Sequence, residues 1–238
     1  MHIVLLTHPP FTASQSMPRF AQMLQRAYEQ LGHDVEVWSP QGRWHRRFAG
    51  TRFAKWAGYV DQYLLFPRWL RAQASRQPPD TLFVFTDQAL GPWVPLLRHR
   101  PHVVHVHDLL ALRSALGEVP QNPTRFTGRL YQRYIRWGFA QARHFGCISR
   151  RTRDDLLRVG HVQPRTCDVV HNGLNAPFAR LPLATAHRQL LSAGLPEAPE
   201  GMVLHVSGNQ WYKNVAGVIR LYGAYARSRA RPLPLWLV

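Results

Sequence analysis

Short apolar runs rich in Val, Ile and Leu alternate with longer stretches whose apolar residues recur every three or four positions. The short runs predict strands and the longer ones predict helices that cover them, which is the pattern of a parallel α/β sheet. Residues 2–7 read as a first strand. Residues 17–31 read as a helix, with Phe20, Leu24, Ala27 and Leu31 on one face. Gly32 stops that helix, and residues 34–38 form a second strand. Pro78-Pro79-Asp80 turns the chain into a third strand at 81–85, and 102–106 is a fourth. A helix over 124–142, a strand at 145–148, a helix at 151–159 and a strand at 167–170 complete the series. The expected fold is α/β, a doubly wound, Rossmann-like parallel sheet spanning residues 1–175.

Beyond residue 171 the texture changes. Pro177, Pro182, Pro196 and Pro199 mark a linker over 176–201 that carries a short helix near 185–192. Residues 202–206, 213–229 and 233–238 then read as strand, helix, strand, one βαβ unit over 202–238. So small a parallel remnant cannot cover both of its faces. It is expected to dock on the first domain, to take a partner, or to be the truncated start of a longer domain.

Composition bounds the functional classes. With 238 residues and 45% apolar content the chain can bury a real core. No apolar run approaches the eighteen residues of a membrane span, and the first fifteen residues lack the pattern of a secretory signal. Cys147 and Cys167 are the only cysteines, too few for a disulfide framework, so a cytoplasmic location is expected. Net charge is +17, and Lys55 and Lys213 are the only lysines, so arginine carries nearly all of it. Arginine's planar fork suits phosphate and other anionic groups. Nucleic acid, anionic lipid and phosphorylated substrates all fit that charge, as does an arginine-rich composition without functional meaning.

In open α/β sheets, ligands gather beyond the carboxyl ends of the strands. The first strand runs into a hydroxyl-rich loop ending at Ser14-Gln15-Ser16. The fourth ends in His105-Val106-His107-Asp108, the fifth in Ile148-Ser149-Arg150, and the last in His171-Asn172-Gly173. Each alone is ordinary turn chemistry, and Ser149 can serve as a helix cap. All four lie on one edge. Further on, the apolar run 203–206 ends at Gly208, with Asn209, Lys213 and Asn214 before an amphipathic segment. Such a turn can bring backbone N–H groups and one cation to a phosphate. His105 and His107 share a strand face, but a metal site needs a third or fourth ligand, so none is assigned. G-x-S-x-G, Walker and G-x-G-x-x-G motifs are absent. Residues 43–76 are basic and aromatic, with Phe53, Trp56, Tyr59, Val60 and Tyr63 at helical spacing. That spacing fits a helix lying on an anionic membrane and equally a helix facing the core.

Four pieces resemble family 4 glycosyltransferases, whose GT-B architecture sets two Rossmann-like domains face to face. They are the Ser16-Met17-Pro18-Arg19-Phe20-Ala21 helix entry, the His107-Asp108 strand end, the Ile148-Ser149-Arg150-Arg151 helix entry, and Val169-Val170-His171-Asn172-Gly173. The Gly208 loop follows at the family's usual distance. The resemblance implies sugar transfer from a nucleotide-sugar donor to a saccharide or lipid-linked acceptor, with retention and without a cofactor or bound metal. It implies that His107 and Lys213 are catalytic, His107 beside the reacting sugar and Lys213 on the departing diphosphate. Gly208, Asn209, Lys213 and Asn214 would then hold the donor. Ser14, Gln15, Ser16, His107, Asp108 and Ser149 would face the acceptor. Asn209 stands where the family has arginine, and Ser14-Gln15-Ser16 replaces a glycine pair. The family's two late glutamates have no counterpart, because no carboxylate residue follows Glu200. The resemblance therefore identifies a glycosyltransferase by family that looks truncated, and leaves open whether this chain is active alone. Apart from the resemblance, the +17 charge and the basic, aromatic stretch 43–76 fit an anionic membrane surface on the cytoplasmic side, and the incomplete second unit fits a complementing C-terminal half. A non-catalytic acceptor-binding subunit and a basic nucleic-acid-binding α/β protein are the alternatives, and no specific nucleic acid is assigned.

Overall fold

The computed structural model describes every residue except 13–15, 175–177, 196–197 and 209. The chain forms two compact units, Met1–Ala176 and Pro177–Val238. In the first, strands β1 (His2–Leu6), β2 (Asp34–Trp38), β3 (Leu82–Phe85), β4 (His102–Val106), β5 (His144–Cys147) and β6 (Thr166–Val169) make one sheet. Its order is β2-β1-β3-β4-β5-β6, and every pair is parallel. The order reverses between β1 and β3, so the sheet has its switch point there. This is the doubly wound, Rossmann-like sheet that the alternation predicts.

Among the described residues this unit has the α-helices α1 (Ser16–Gln30), α2 (Arg43–Arg47), α3 (Ala54–Val60), α4 (Phe66–Ala74), α5 (Val94–Leu97), α6 (Leu110–Ala115), α7 (Phe126–Phe139) and α8 (Arg150–Val159). Alternate strand residues feed opposite faces. Val4, Leu6, Phe83, Phe85, Val104 and Val106 pack with Leu70 of α4, Trp93, Phe139 of α7 and Leu156 of α8. Ile3, Leu5 and Val84 pack with Leu24 and Tyr28 of α1 on the other face. Gly32 ends α1 with φ +79, while His33 N–H donates to Tyr28 and Gly32 N–H to Glu29. That pair of bonds is the glycine-terminated helix end its position in the sequence predicts.

Residues 43–76 are not one helix. They fold as α2, α3, a π-helical turn at Asp61–Leu65, and α4. Asp61 explains the break: only 1% exposed, its carboxylate accepts the backbone N–H groups of Trp44 (3.1 Å) and His45 (2.8 Å). It caps α2 from seventeen residues away, which local periodicity cannot reveal. A 3₁₀ helix at Gln88–Trp93 packs against α7, where Gly91 and Gly138 face one another. Sequence patterning did not predict α5, α6 or that 3₁₀ helix.

The second unit holds α9 (Leu183–Ser192), β7 (Val203–His205), a 3₁₀ turn at Trp211–Lys213, α10 (Val215–Arg227) and β8 (Leu235–Leu237). β7 and β8 are parallel, with Leu204 opposite Trp236. The last helix begins at Val215 rather than 213. Asn214 takes a left-handed conformation (φ 52) and its side chain accepts from Gly217 N–H. Asparagine is among the few residues that adopt this geometry readily. Leu204, Ile219 and Leu221 of this unit are exposed. Among the described residues no helix is long and apolar enough to cross a membrane.

Candidate functional site

The carboxyl edge of the first sheet carries a connected polar layer. His107, one residue past β4, has its Nε2 3.0 Å from the Thr86 carbonyl oxygen. A carbonyl only accepts, so Nε2 bears a proton and Nδ1 is the ring nitrogen left for other work. Gln88 Oε1 accepts His107 N–H at 3.0 Å, and Thr152 Oγ1 donates to the His107 carbonyl at 3.1 Å. Phe20 of α1 meets the imidazole edge-on, 4.5 Å between centroids. Thr86 and Phe20 thereby hold the ring, while Gln88 and Thr152 hold the backbone that carries it.

His107 lines a pocket of about 310 Å³ with Ser16, Arg19 and Phe20 from α1 and Asn172 and Gly173 beyond β6. Of the residues named from sequence, Ser16 and His107 meet here. Asp108 and Ser149 do not line this pocket: Asp108 Oδ1 accepts Leu110 N–H, and Ser149 caps α8 by accepting Thr152 N–H. Ser14 and Gln15 lie outside the described residues. Sequence reasoning did not assign Arg19, Asn172 or Gly173 as site residues, although it quoted them as motif members. It also missed the pair His8 Nε2 to Asp87 Oδ2 at 2.9 Å and the Gln88 prop, which depend on where β3 ends.

The donor-side residues scatter. Gly208 lines a small pocket of about 160 Å³ with Ser207 and Val215. Lys213 lies outside that lining, with its Nζ 5.4 Å from the Tyr212 ring centre. Asn214 is committed to capping α10, and Asn209 lies outside the described residues.

His105 stands on the same strand face, 5.2 Å from Phe20 in an edge-on contact. Burial pushes its imidazole down to about 4, and His107 alongside adds to the shift. The unfolded chain takes up a proton near pH 6.5 that the folded protein refuses until about 4. Stability from this group is therefore full above pH 6.5 and falls as pH drops toward 4, by on the order of 2–3 kcal/mol at most. Urea midpoints between pH 7 and pH 4.5 should decline, and His105→Gln should flatten the decline. An unchanged slope in the variant would assign the acid loss elsewhere. His102 points to the opposite face, its Nδ1 2.8 Å from the Arg100 carbonyl oxygen. Among the described residues no three His, Cys, Asp or Glu side chains gather to hold a metal.

A family model described as Glycosyltransferase Family 4 matches residues 17–176. No curated protein matches the chain. The match covers more than half of the sequence and takes in α1 from Met17, the His107 strand end and the Asn172-Gly173 segment, which line the pocket. The chain belongs to glycosyltransferase family 4.

Proposed function

We propose that the protein transfers a sugar from a nucleotide-sugar donor to a saccharide or lipid-linked acceptor, with retention, in the cytoplasm. The observation that carries this reading is the His107 pocket, at the sheet edge where this fold binds ligands. In the step, the bond from the anomeric carbon to the diphosphate oxygen breaks, and its electron pair leaves with the nucleoside diphosphate. The acceptor oxygen bonds to that carbon and gives its proton to the departing diphosphate oxygen. His107, with Nε2–H engaged by Thr86, offers Nδ1 to a hydroxyl of the reacting sugar. Ser16 and Asn172 supply polar groups beside it. Lys213 takes the leaving diphosphate, because a buried phosphate charge needs a cation. Its cation–π contact with Tyr212 is surface-exposed and gives way at a cost of about 0.5–1 kcal/mol. Gly208 and Asn209 hold the donor beside it.

The test is release of nucleoside diphosphate from a panel of nucleotide-sugars, with the product's anomeric configuration read by NMR. One donor should give release with retained configuration. Inverted product would overturn the retaining assignment, and no release from any donor would overturn transfer by this chain alone.

A second reading is favoured by the exposed Leu204, Ile219 and Leu221 of the second unit, the last of them 73% exposed. Such residues gain from a covering layer. In this reading the chain binds acceptor and works with a separate donor-binding chain. A co-purified chain that restores diphosphate release would support it; release by the protein alone would retire it.

A further inference from the structure

Apart from the His107 pocket, the first unit has a groove of about 750 Å³ between the α3 and π-turn segment and α7. Trp56, Tyr59, Tyr63 and Leu64 form one wall, and Tyr131 and Tyr134 form the other. Tyr63 and Tyr131 bond to each other through their hydroxyls at 2.6 Å, so the floor's polar atoms satisfy one another. Burial pushes the pKa of both phenols up, so they stay protonated and uncharged. The rim is apolar and open. Trp56 is 68% exposed and Trp137 is 55%, with Phe126 and Leu130 also exposed along α7. On α7, Leu130, Tyr134 and Trp137 succeed one another at spacings of four and three and so share a face.

The charge around this groove is one-sided. Residues 43–76 hold eight cationic side chains and a single carboxylate, and residues 124–143 hold five arginines and none. That carboxylate, Asp61, is buried and occupied by two backbone N–H groups. Among the described residues no arginine of either segment pairs with a carboxylate; the arginine ion pairs at Arg113, Arg151, Arg153 and Arg158 lie outside both. Exposed tryptophan and tyrosine beside unpaired arginine is the composition that settles at the headgroup level of a bilayer. Each basic residue adds attraction to anionic lipid.

We propose that this groove and its rim are a docking surface for an anionic lipid bilayer, with Trp56, Phe126 and Trp137 entering the headgroup region and Arg129 and Arg133 meeting lipid phosphates. Single-stranded nucleic acid could also use aromatics among arginines. The aliphatic rim at Leu64 and Leu130 and the mutual stacking of Tyr134 on Trp137 (5.9 Å, 11° between planes) favour lipid, since bases stack on free ring faces. The surface goes beyond the sugar-transfer reading and is read without donor, so either can fail while the other stands.

The experiment is flotation of the protein with vesicles of phosphatidylcholine alone and with added phosphatidylglycerol, at low and physiological salt. Wild type should float with the anionic vesicles only, and less at higher salt. The double variant Trp56→Ala/Trp137→Ala should bind about tenfold more weakly, and Arg129→Glu/Arg133→Glu about a hundredfold. Arg26→Glu, on the exposed side of α1 across the sheet, should bind at least three-quarters as well as wild type; matched circular dichroism confirms folding of each variant. Failure of wild type to float with anionic vesicles at low salt would overturn the proposal. So would equal weakening by Arg26→Glu, or displacement from vesicles by a single-stranded oligonucleotide at matched phosphate.

Discussion

Gly138→Val is expected to leave no folded protein, and Gly138→Ala to lower stability by about 3 kcal/mol. At Gly138 an added Cβ would overlap the Gly91 carbonyl, and at Gly91 it would overlap the Ile135 carbonyl and sit 2.9 Å from the Phe139 nitrogen. These are backbone atoms with no rotamer to change, so α7 and the 3₁₀ helix would have to part. Leu90 and Trp93 on that 3₁₀ helix and Ile135 and Phe139 on α7 are all buried in the main core, so parting them opens its centre. Gly128→Ala is the contrast within the same helix, because its Cβ would meet only the Thr124 Cγ2, a side-chain end that can turn away. Alanine there gains helix propensity of up to about 1 kcal/mol. Urea unfolding of the two alanine variants measures the difference. A Gly138→Ala midpoint equal to wild type would show that the close approach is not tight.

The second large effect is on chemistry. His107→Ala is expected to lower the turnover of sugar transfer by about 10²–10³-fold. The backbone around it should hold, because Gln88 still accepts its N–H and Thr152 still donates to its carbonyl. What disappears is the ring that Phe20 and Thr86 fix in place. A placed polar group contributes through its orientation, so the loss should fall on kcat more than on KM. Gln88→Ala should give a smaller loss by loosening the same strand end. A fall confined to KM would make His107 a binding group with no part in the reacting step.

Much of the fold was legible because local patterns report buried faces. Strand β4 has the ends its apolar run gives, α1 starts one residue before the expected position, and Gly32 closes it as a left-handed glycine should. The His107-Asp108 strand end was visible for the same reason. Asp61 was not: one acidic residue inside a basic, aromatic stretch looks like surface, and its capping of α2 exists only after the chain folds back. Gln88 was missed because a glutamine beyond a strand end carries no signal until His107 arrives beside it. The start of α10 was misplaced because Lys213 suits a helix, whereas the left-handed Asn214 sets the boundary. Ser16 and His107, from two different elements, line one pocket, whereas Asp108 accepts the Leu110 N–H at the start of α6 and Ser149 caps α8, local roles that turn chemistry already allows.

Sugar transfer by this protein is proposed at the pocket formed by Ser16, Phe20, His107 and Asn172. The most direct test is the rate of nucleoside diphosphate release from the active donor, compared between wild type and His107→Ala at matched thermal stability. Release should require acceptor and fall at least a hundredfold in the variant. Release at the wild-type rate from folded His107→Ala would contradict this assignment.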